Sequence, residues 1–305
     1  MAVTADRTVR QARPGDHDAV EAFTEDTWPD REIGDYVPEV FPEWVETDGP
    51  DQYTVVTEIE GEAVGLAQAT MLTDDEAWLQ GLRVHPDHRG RGHSMAMTDA
   101  LLAWCRDCGA TVARNMVFDW NPAGMAQSRA AGLHPVTACR WARPEPQADG
   151  ESTRPDLSVR EDADAAWRYW THSDTREALD GLALAEEETW ALSELARERF
   201  ERLAADGRAL AVVGEGVRGA TVRLGTRKRE GETVVDYAVA AWADADAARK
   251  LFDAIRADTV SLGGDNTRVL IPETPRHVSG AALAWTPLSD HSVYVFAADP
   301  TSLTS

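Results

Sequence analysis

The fold is decided by the stretch Leu82-Arg83-Val84-His85-Pro86-Asp87-His88-Arg89-Gly90-Arg91-Gly92-His93-Ser94. A strand is predicted to end at Val84, because Pro86 lacks the N–H that a β-ladder needs, and a helix is predicted to begin near Gly92. Gly90 and Gly92 have no Cβ, so the backbone there can adopt positive φ and approach a ligand closely. The amides of this turn then converge at the positive end of the helix dipole, which predicts a cradle for phosphate.

Arg89 and Arg91 would add charge-assisted hydrogen bonds to such a phosphate. Two other phosphate loops do not match this stretch. The P-loop of nucleoside triphosphatases has Lys followed by Ser or Thr after its last glycine, and His93 and Ser94 stand there. The dinucleotide fingerprint has three glycines in a first βαβ unit, whereas this loop has two glycines and follows several predicted strands. The loop also leaves open the alternative that the protein binds a nucleotide.

The loop resembles that of the GCN5-related N-acetyltransferase (GNAT) superfamily, which reads roughly V-x-P-x-x-R-G-x-G-x-G/A. Residues 84–94 match it except at Ser94, where the family has Gly or Ala. A second family segment is a helix that begins N-P-x-A and ends in Gly and an apolar residue. The stretch from Asn121-Pro122-Ala123-Gly124 to Gly132-Leu133 is similar to it. The resemblance covers most of residues 7–143.

The resemblance implies a mixed sheet that is splayed between the strands ending at Val84 and Phe118. The pantetheine arm of acetyl-CoA, the implied co-substrate, would lie in this splay. It would pair with the backbone of Leu82, Arg83 and Val84 and would contact Asn121. The resemblance also implies that the pyrophosphate binds the backbone amides of Arg89, Gly90, Arg91, Gly92, His93 and Ser94. No metal is expected.

The resemblance further implies that an amine attacks the thioester directly, with no acyl-enzyme. A tyrosine in the last helix often serves as the acid in this family, and Ser128 stands at the matching position. Its alternative role is to fill space in that helix. Family bases often lie on the strand before the loop, where this chain has no base. Glu76 and Asp119, each near a predicted strand end, are the candidate bases, acting through water; a solvated strand end is the alternative for Glu76.

Residues 27–46 combine aromatic and acidic side chains, namely Trp28, Tyr36, Phe41 and Trp44 among Asp30, Glu32, Asp35, Glu39 and Glu43. In the GNAT superfamily this region covers the acceptor cleft, and aromatic rings beside carboxylates suit a cationic amine. The alternative is an amphipathic helix that packs its aromatic residues on the sheet, with the acids solvated.

The second half of the chain repeats the pattern of the first. Residues 143–156 are rich in Pro, Asp, Glu and Gly, and matching strand and helix signals occur on both sides of them. We therefore predict an α/β fold of two tandem GNAT-like domains, each a mostly antiparallel sheet flanked by helices, at residues 1–143 and 157–305 with a linker at 144–156. The second domain has Ala241-Trp242-Ala243-Asp244-Ala245-Asp246-Ala247 in place of the loop. Because side chains block the backbone and Asp244 and Asp246 repel phosphate, we expect it to bind no CoA.

The chain of 305 residues has 53 acidic and 30 basic residues, a formal net charge of −23, and its two lysines are Lys228 and Lys250. This balance disfavours nucleic acid and anionic membranes as partners. Few lysines among many carboxylates indicate adaptation to a salt-rich, halophilic cytoplasm. We expect a cytoplasmic protein, because the first ten residues lack the apolar core of a signal peptide.

Together these patterns predict an N-acetyltransferase, an acyltransferase that uses acetyl-CoA to acetylate a small-molecule or peptide amine acceptor. The alternative is a catalytically silent acyl-CoA-binding or regulatory module. The sequence leaves open whether the protein forms a homodimer.

Overall fold

The computed structural model describes residues 7–25, 27–28, 34–147, 156–229 and 231–302. The chain forms two compact units. Unit 1 comprises Met1–Met116, Asn121–His134 and Phe296–Ser305, and unit 2 comprises Val117–Trp120 and Pro135–Val295.

Unit 1 is built on a sheet whose strands stand in chain order. These strands are β1 (Arg7–Gln11), β2 (Gln52–Ile59), β3 (Glu62–Met71), β4 (Glu76–Val84) and β5 (Val112–Phe118), of which the last two residues fall in unit 2. The first four pair antiparallel, and β5 joins β4 in parallel. The helices are α1 (His17–Thr24), α2 (Val37–Thr47), α3 (His93–Asp107) and α4 (Pro122–Ala130).

The strands β2 and β3 form a hairpin. Glu60 (φ 53°) and Gly61 (φ 89°) form a two-residue turn in which both residues have positive φ, the geometry that matches the twist of the flanking strands. The helices α1 and α2 pack on this part of the sheet through Phe23, Phe41 and Trp44, all buried.

The main strands of unit 2 follow the order β14-β6-β13-β12-β11-β10-β7. Its strands are β6 (His134–Ala142), β7 (Ser158–Glu161), β10 (Ala209–Val213), β11 (Val217–Arg229), β12 (Glu232–Trp242), β13 (Asn266–Pro272) and β14 (Val293–Ala298), of which the last three residues fall in unit 1; β8 (Leu182–Leu184) and β9 (Leu192–Glu194) form a separate hairpin. The helices are α5 (Ala163–Thr171), α6 (Asp174–Ala178), α7 (Arg197–Ala204), α8 (Ala245–Ser261) and α9 (Pro275–Leu283).

The compact units do not coincide with the predicted domain limits at residues 143 and 157. The strand β6, assigned by sequence to the first domain, pairs antiparallel with β13, with Ala142 opposite Val269 and Cys139 opposite Pro272. Arg140 of β6 also forms an ion pair with Glu273, with 2.6 Å between Nε and Oε2. Residues 135–142 therefore pack with the second half of the chain. Residues 148–155 of the predicted linker lie outside the described residues.

The segment between α5 and β10 adds short elements to unit 2. It contains α6, the β8–β9 hairpin and α7. Each of these is at most eight residues long, too short for a periodic pattern to be recognised. None of the described helices is long and apolar enough to cross a membrane.

Candidate functional site

The neighbouring strands β4 and β5 open into a splay. Within the described part of the chain they pair at three positions, Glu76 with Val112, Ala77 with Ala113 and Trp78 with Arg114. Beyond Trp78 and Arg114, β4 continues to Val84 and β5 to Phe118 without pairing to each other. The edge of β4 that faces the splay therefore keeps its backbone groups available, which confirms the opening implied by the resemblance.

Glu76 lies at the closed end of the splay. Its Oε1 is 2.7 Å from Nη1 of Arg114, and the two side chains are 8% and 12% exposed. A nearly buried carboxylate that is paired with a guanidinium serves to fasten β4 to β5. This placement argues against the predicted role of Glu76 as a base and gives it a structural role.

The loop at the open end presents unpaired amides. Residues 86–88 form one 3-10 turn, Gly90 and Gly92 have φ of 74° and 80°, and α3 begins at His93 with no side-chain cap from Gly92. The first bond that enters the helix runs from the N–H of Ala96 to the carbonyl of Gly92, at 3.2 Å. Among the described residues, no acceptor receives the N–H groups of residues 90–95. Free amides at the N-terminus of a fifteen-residue helix attract an anion.

Two arginines hold the shape of this loop. The Nε of Arg89 donates to the carbonyl of Val84 at 3.1 Å, and Nη1 of Arg7 donates to the carbonyl of Gly92 at 3.2 Å. Arg91 lies exposed on the same loop. Arg7 was not singled out by sequence, because it precedes Gly92 by 85 residues and only the fold brings the two together.

His93, the first residue of α3, is buried, with 5% of its surface exposed. Both ring nitrogens lack a hydrogen-bond partner among the described residues. Burial is the main cause that lowers the pKa of His93 below its ordinary value, and the nearby Arg7, His88 and Arg91 add to it. The ring is therefore neutral at pH 7, and the anion-binding capacity of this position lies in its backbone N–H.

The helix α4 brings the other predicted residues to the splay. The Oδ1 of Asn121 caps α4 by accepting the N–H of Gly124 at 2.9 Å. Ser128 is 1% exposed, and its Oγ accepts a hydrogen bond of 3.0 Å from Nδ2 of Asn115 on β5. Asn115 was not predicted as a site residue, and its signal was a polar residue within the strand pattern of residues 111–118.

Asp119, the second candidate base, lies in unit 2 and is already bound. Its Oδ2 accepts from the N–H and the hydroxyl of Ser292 at 3.2 and 3.1 Å, and His291 lies 3.2 Å from its Oδ1. Burial alone would raise the pKa of Asp119, but the bonds from Ser292 and the neighbouring His291 hold it below its ordinary value. A lower pKa makes a carboxylate a weaker base, so this environment argues against the predicted role.

The predicted acidic and aromatic segment divides between two roles. Phe41 and Trp44 are buried in the core of unit 1. This agrees with the alternative interpretation of the segment, an amphipathic helix that packs its aromatic residues on the sheet. Arg83 lies with its guanidinium carbon 4.6 Å from the ring centre of Trp28 and 5.7 Å from that of Tyr36.

Asp35 of the same segment binds Arg83, with 2.6 Å between Oδ2 and Nε. The cation that Trp28, Tyr36 and Asp35 enclose is thus a side chain of the protein. Arg83 fastens this segment to β4. Two further acids of the predicted set, Asp30 and Glu32, lie outside the described residues.

Comparisons with known proteins agree with this geometry. Residues 18–126 match the model of the Acetyltransferase (GNAT) family. Residues 18–126 thus form a domain of the GNAT family. The matched range includes the splay, the loop and the first turn of α4. No curated protein matches the chain in sequence.

Solved structures share the fold over the length of the chain. A GCN5-related N-acetyltransferase from Sphaerobacter thermophilus is 13% identical with a TM-score of 0.59 and 96% of each chain covered. A tandem GNAT protein from the clavulanic acid biosynthesis pathway is 13% identical with a TM-score of 0.53, covering 98% of this chain and 100% of that one. A glucosamine N-acetyltransferase region of a fungal GH3 β-N-acetylglucosaminidase is 12% identical with a TM-score of 0.63, covering 97% of this chain and 38% of that one. These similarities show the fold, a tandem GNAT architecture.

The second GNAT unit replaces the loop with a closed junction. Asp244 caps α8 with its own carboxylate, which accepts the N–H groups of Asp246 and Ala247 at 3.1 and 3.0 Å and pairs with Arg218. Arg276 donates to the carbonyls of Trp242 and Ala243 at 3.0 and 2.7 Å. The helix terminus and the strand end are thus both engaged by the side chains of the protein.

The strands next to this junction also diverge. The parallel pairing of β12 with β13 ends at Tyr237 and Val269. Trp242 at the end of β12 is 1% exposed and packs so closely on α9 that a Cβ at Gly280 would lie 2.8 Å from its Nε1. These contacts support the prediction that the second half of the chain binds no CoA.

The second unit contains a cavity of about 530 Å³. It is lined by Arg168, Tyr169, His172, Ser173, Asp174 and Val217. No group of three or more His, Cys, Asp or Glu residues suited to a metal ion is found in the described parts of the chain.

Proposed function

We propose that unit 1 is an acetyl-CoA-dependent N-acetyltransferase that acetylates an amine in a ternary complex. The observation that supports it most is the combination of a splayed β4–β5 pair with six unpaired amides at the adjoining helix N-terminus. A thioester arm needs the first feature and a pyrophosphate needs the second. The expected stoichiometry is one CoA per chain, because Asp244 and Trp242 close the counterpart in unit 2.

In this proposal each feature of unit 1 has a defined task. Bound acetyl-CoA supplies the acetyl group as a thioester. The amides of residues 90–95 hold the pyrophosphate, with Arg91 adding charge, and the free edge of β4 orients the arm beside Ser128. Glu76 and Asp119 are both engaged by other side chains, so neither is free to act as a base. The proton of the amine therefore leaves through water. The rate enhancement arises mainly from the positioning of the reactants.

A silent acyl-CoA-binding module is the second candidate, and the engagement of Glu76 and Asp119 favours it. Binding and turnover separate the two candidates. We would titrate acetyl-CoA by calorimetry in molar KCl and then screen amines for release of free CoA thiol. Binding with thiol release supports the enzyme, binding without release across the panel supports the module, and absence of binding by the folded protein refutes both. Competition by ATP as strong as that by CoA would support a nucleotide-binding protein instead.

We also propose that the acceptor is a small molecule or a peptide and that the protein works in a salt-rich cytoplasm. The net charge of −23 with two lysines supports the second part, because repulsion among carboxylates is screened within a few ångströms at molar salt. The free energy of unfolding should rise steadily from 0.1 to 2 M KCl. A stability that is flat across this range would contradict the adaptation without touching the activity.

A further inference from the structure

Asn115 of β5 and Ser128 of α4 form an oriented pair of polar side chains. The amide Nδ2 of Asn115 donates to Oγ of Ser128 at 3.0 Å. Because an amide nitrogen can only donate, Oγ must be the acceptor in this bond, and the hydroxyl hydrogen of Ser128 is left to donate elsewhere. It has no described acceptor, although the side chain is 1% exposed.

The other end of the Asn115 amide is also unpaired. Its Oδ1 is buried and has no hydrogen-bond partner among the described residues. Buried polar atoms in folded proteins nearly always have a partner, so this acceptor is available to a bound molecule. The pair therefore offers one donor, the hydroxyl of Ser128, and one acceptor, Oδ1 of Asn115.

The position of the pair in the splay is fixed by the strand register. Arg114 is the last residue of β5 that pairs with β4, so Asn115 is the first residue beyond the closed end. An arm that is held at the loop by its phosphates extends into the splay towards this end. Its thioester end, the part farthest from the phosphates, is the part that reaches the level of Asn115.

We propose that Asn115 is a positioning residue for acyl transfer, which holds Ser128 with its hydroxyl directed at the leaving sulfur. This inference rests on the proposed function of unit 1. Ser128 contacts the reacting group, and Asn115 acts through it while its Oδ1 accepts an N–H of the arm. The pair takes the place of the family's tyrosine. Asn115 orients the hydroxyl group, and Ser128 donates the hydrogen bond.

The chemical step balances without proton transfer from Ser128. The amine nitrogen attacks the thioester carbonyl carbon, the C–N bond forms, the C–S bond breaks, and its electron pair stays on sulfur. The nitrogen releases its proton to water. A serine hydroxyl is a far weaker acid than a thiol, whose ordinary pKa is about 8.5, so Ser128 keeps its proton and stabilises the thiolate by a hydrogen bond.

The test measures the pKa of the thiol of bound CoA, which needs no knowledge of the acceptor. Free CoA would be bound to the full chain in molar KCl, and thiolate would be followed by ultraviolet absorbance across a pH titration. A directed hydroxyl stabilises the thiolate, so the bound thiol should titrate about one pH unit higher in Ser128→Ala than in the native protein. Asn115→Asp should produce the same increase, because a carboxylate accepts the hydroxyl hydrogen and turns it away from sulfur.

The neighbouring residue Gln127 provides a matched control. It lies on the same helix and donates from Nε2 to Oγ1 of Thr98 at 2.9 Å. Gln127→Ala should leave the thiol titration as in the native protein. Once an acceptor amine is found, Ser128→Ala and Asn115→Asp should each lower kcat about tenfold with little change in the KM for acetyl-CoA, and the double variant should lose no more than either alone.

The outcomes separate this inference from the proposed function. If CoA binds and its thiol titrates identically in the native protein and in folded Ser128→Ala, the role of the pair is refuted and the proposed function stands. If Ser128→Ala raises the pKa of the thiol but Asn115→Asp does not, the positioning role of Asn115 is refuted, while the role of Ser128 and the proposed function stand. If the folded native protein does not bind CoA, the proposed function fails and the inference fails with it.

Discussion

The two strand–loop–helix junctions, residues 84–93 in unit 1 and residues 242–245 in unit 2, share one plan and differ in what caps the helix. In the first, Gly92 has φ of 80° and no side chain, and the amides of residues 90–95 stay unpaired. In the second, Asp244 has extended backbone and its own carboxylate accepts two of the helical N–H groups. A helix N-terminus attracts negative charge in either case. Whether the charge is a ligand or an aspartate of the protein decides between a binding site and a closed scaffold.

The closed junction is also reinforced from the strand side. Arg276 binds the carbonyls of Trp242 and Ala243 and pairs with Asp174. In unit 1 the corresponding strand end, Val84, gives its carbonyl to Arg89, a residue of the loop itself. Local bonds within the loop leave the splay free, whereas the bonds of Arg276 bridge α9 to the strand end and close it.

The largest expected effect comes from making the first junction resemble the second. Gly92→Asp places a carboxylate beside the unpaired amides and a Cβ at positive φ, so acetyl-CoA affinity should fall at least about 100-fold through charge repulsion and backbone strain. Calorimetry in molar KCl measures this loss of affinity. Gly231→Asp is the control, since Gly231 also has positive φ, 86°, with no atom within 4 Å of its Cβ site. Equal affinities in native and Gly92→Asp proteins would contradict the cradle.

The second effect concerns the pH dependence of the closed junction. Burial is the main cause that lowers the pKa of His277 to about 4, with Arg276 adding to it and Asp174 opposing it. Its unfolded pKa is about 6.5, so between pH 6.5 and 4 the unfolded chain binds the extra proton. Stability is therefore fully present above pH 6.5 and falls by up to about 1.4 kcal/mol per pH unit below it.

Urea unfolding followed by the fluorescence of the tryptophans between pH 7 and 4.5 measures this dependence. His277→Gln should show a shallower fall with pH than the native protein. If both proteins lose stability in parallel as the pH falls, the buried ring of His277 is not the group that titrates.

A third, smaller effect tests the charge at the open junction. Arg91 is exposed on the loop, and its replacement in Arg91→Gln should weaken acetyl-CoA binding about tenfold by removing a charge-assisted contact to phosphate. A probe without the pyrophosphate, such as pantetheine, should bind the native protein and the variant with equal affinity. An equal loss for both probes would show that Arg91 acts on the fold of the loop.

The smallest effect comes from opening the cap of the second junction. Asp244→Ala removes the bonds to two helical N–H groups, which should cost about 1 kcal/mol of unfolding free energy, the usual value of an N-cap. The number of CoA molecules bound per chain should stay at one, since Trp242 and Arg276 remain in place. Asp162→Ala, which removes the single cap bond of α5, is the matched comparison. A second bound CoA in Asp244→Ala would show that the cap alone closes this junction.

Much of the open junction was predictable because its chemistry is local. Glycine at two positions permits the positive φ of the loop, proline ends the strand, and the free amides follow from the start of any helix. The hairpin at Glu60 and Gly61 was predictable for the same reason. The absence of glycine around Asp244 likewise indicated a junction unsuited to phosphate, without revealing that Asp244 is the cap.

The sequence by itself therefore determined the tandem GNAT architecture and the glycine loop before α3, since both arise from backbone preferences of neighbouring residues. The tertiary structure alone decided which polar side chains are free. Glu76 meets Arg114 across 38 residues and Arg83 meets Asp35 across 48, while Asn115 meets Ser128. It also decided that β6 pairs with β13. Pairings of this kind depend on strand register and on the direction of each side chain after folding, and no local pattern in the sequence encodes them.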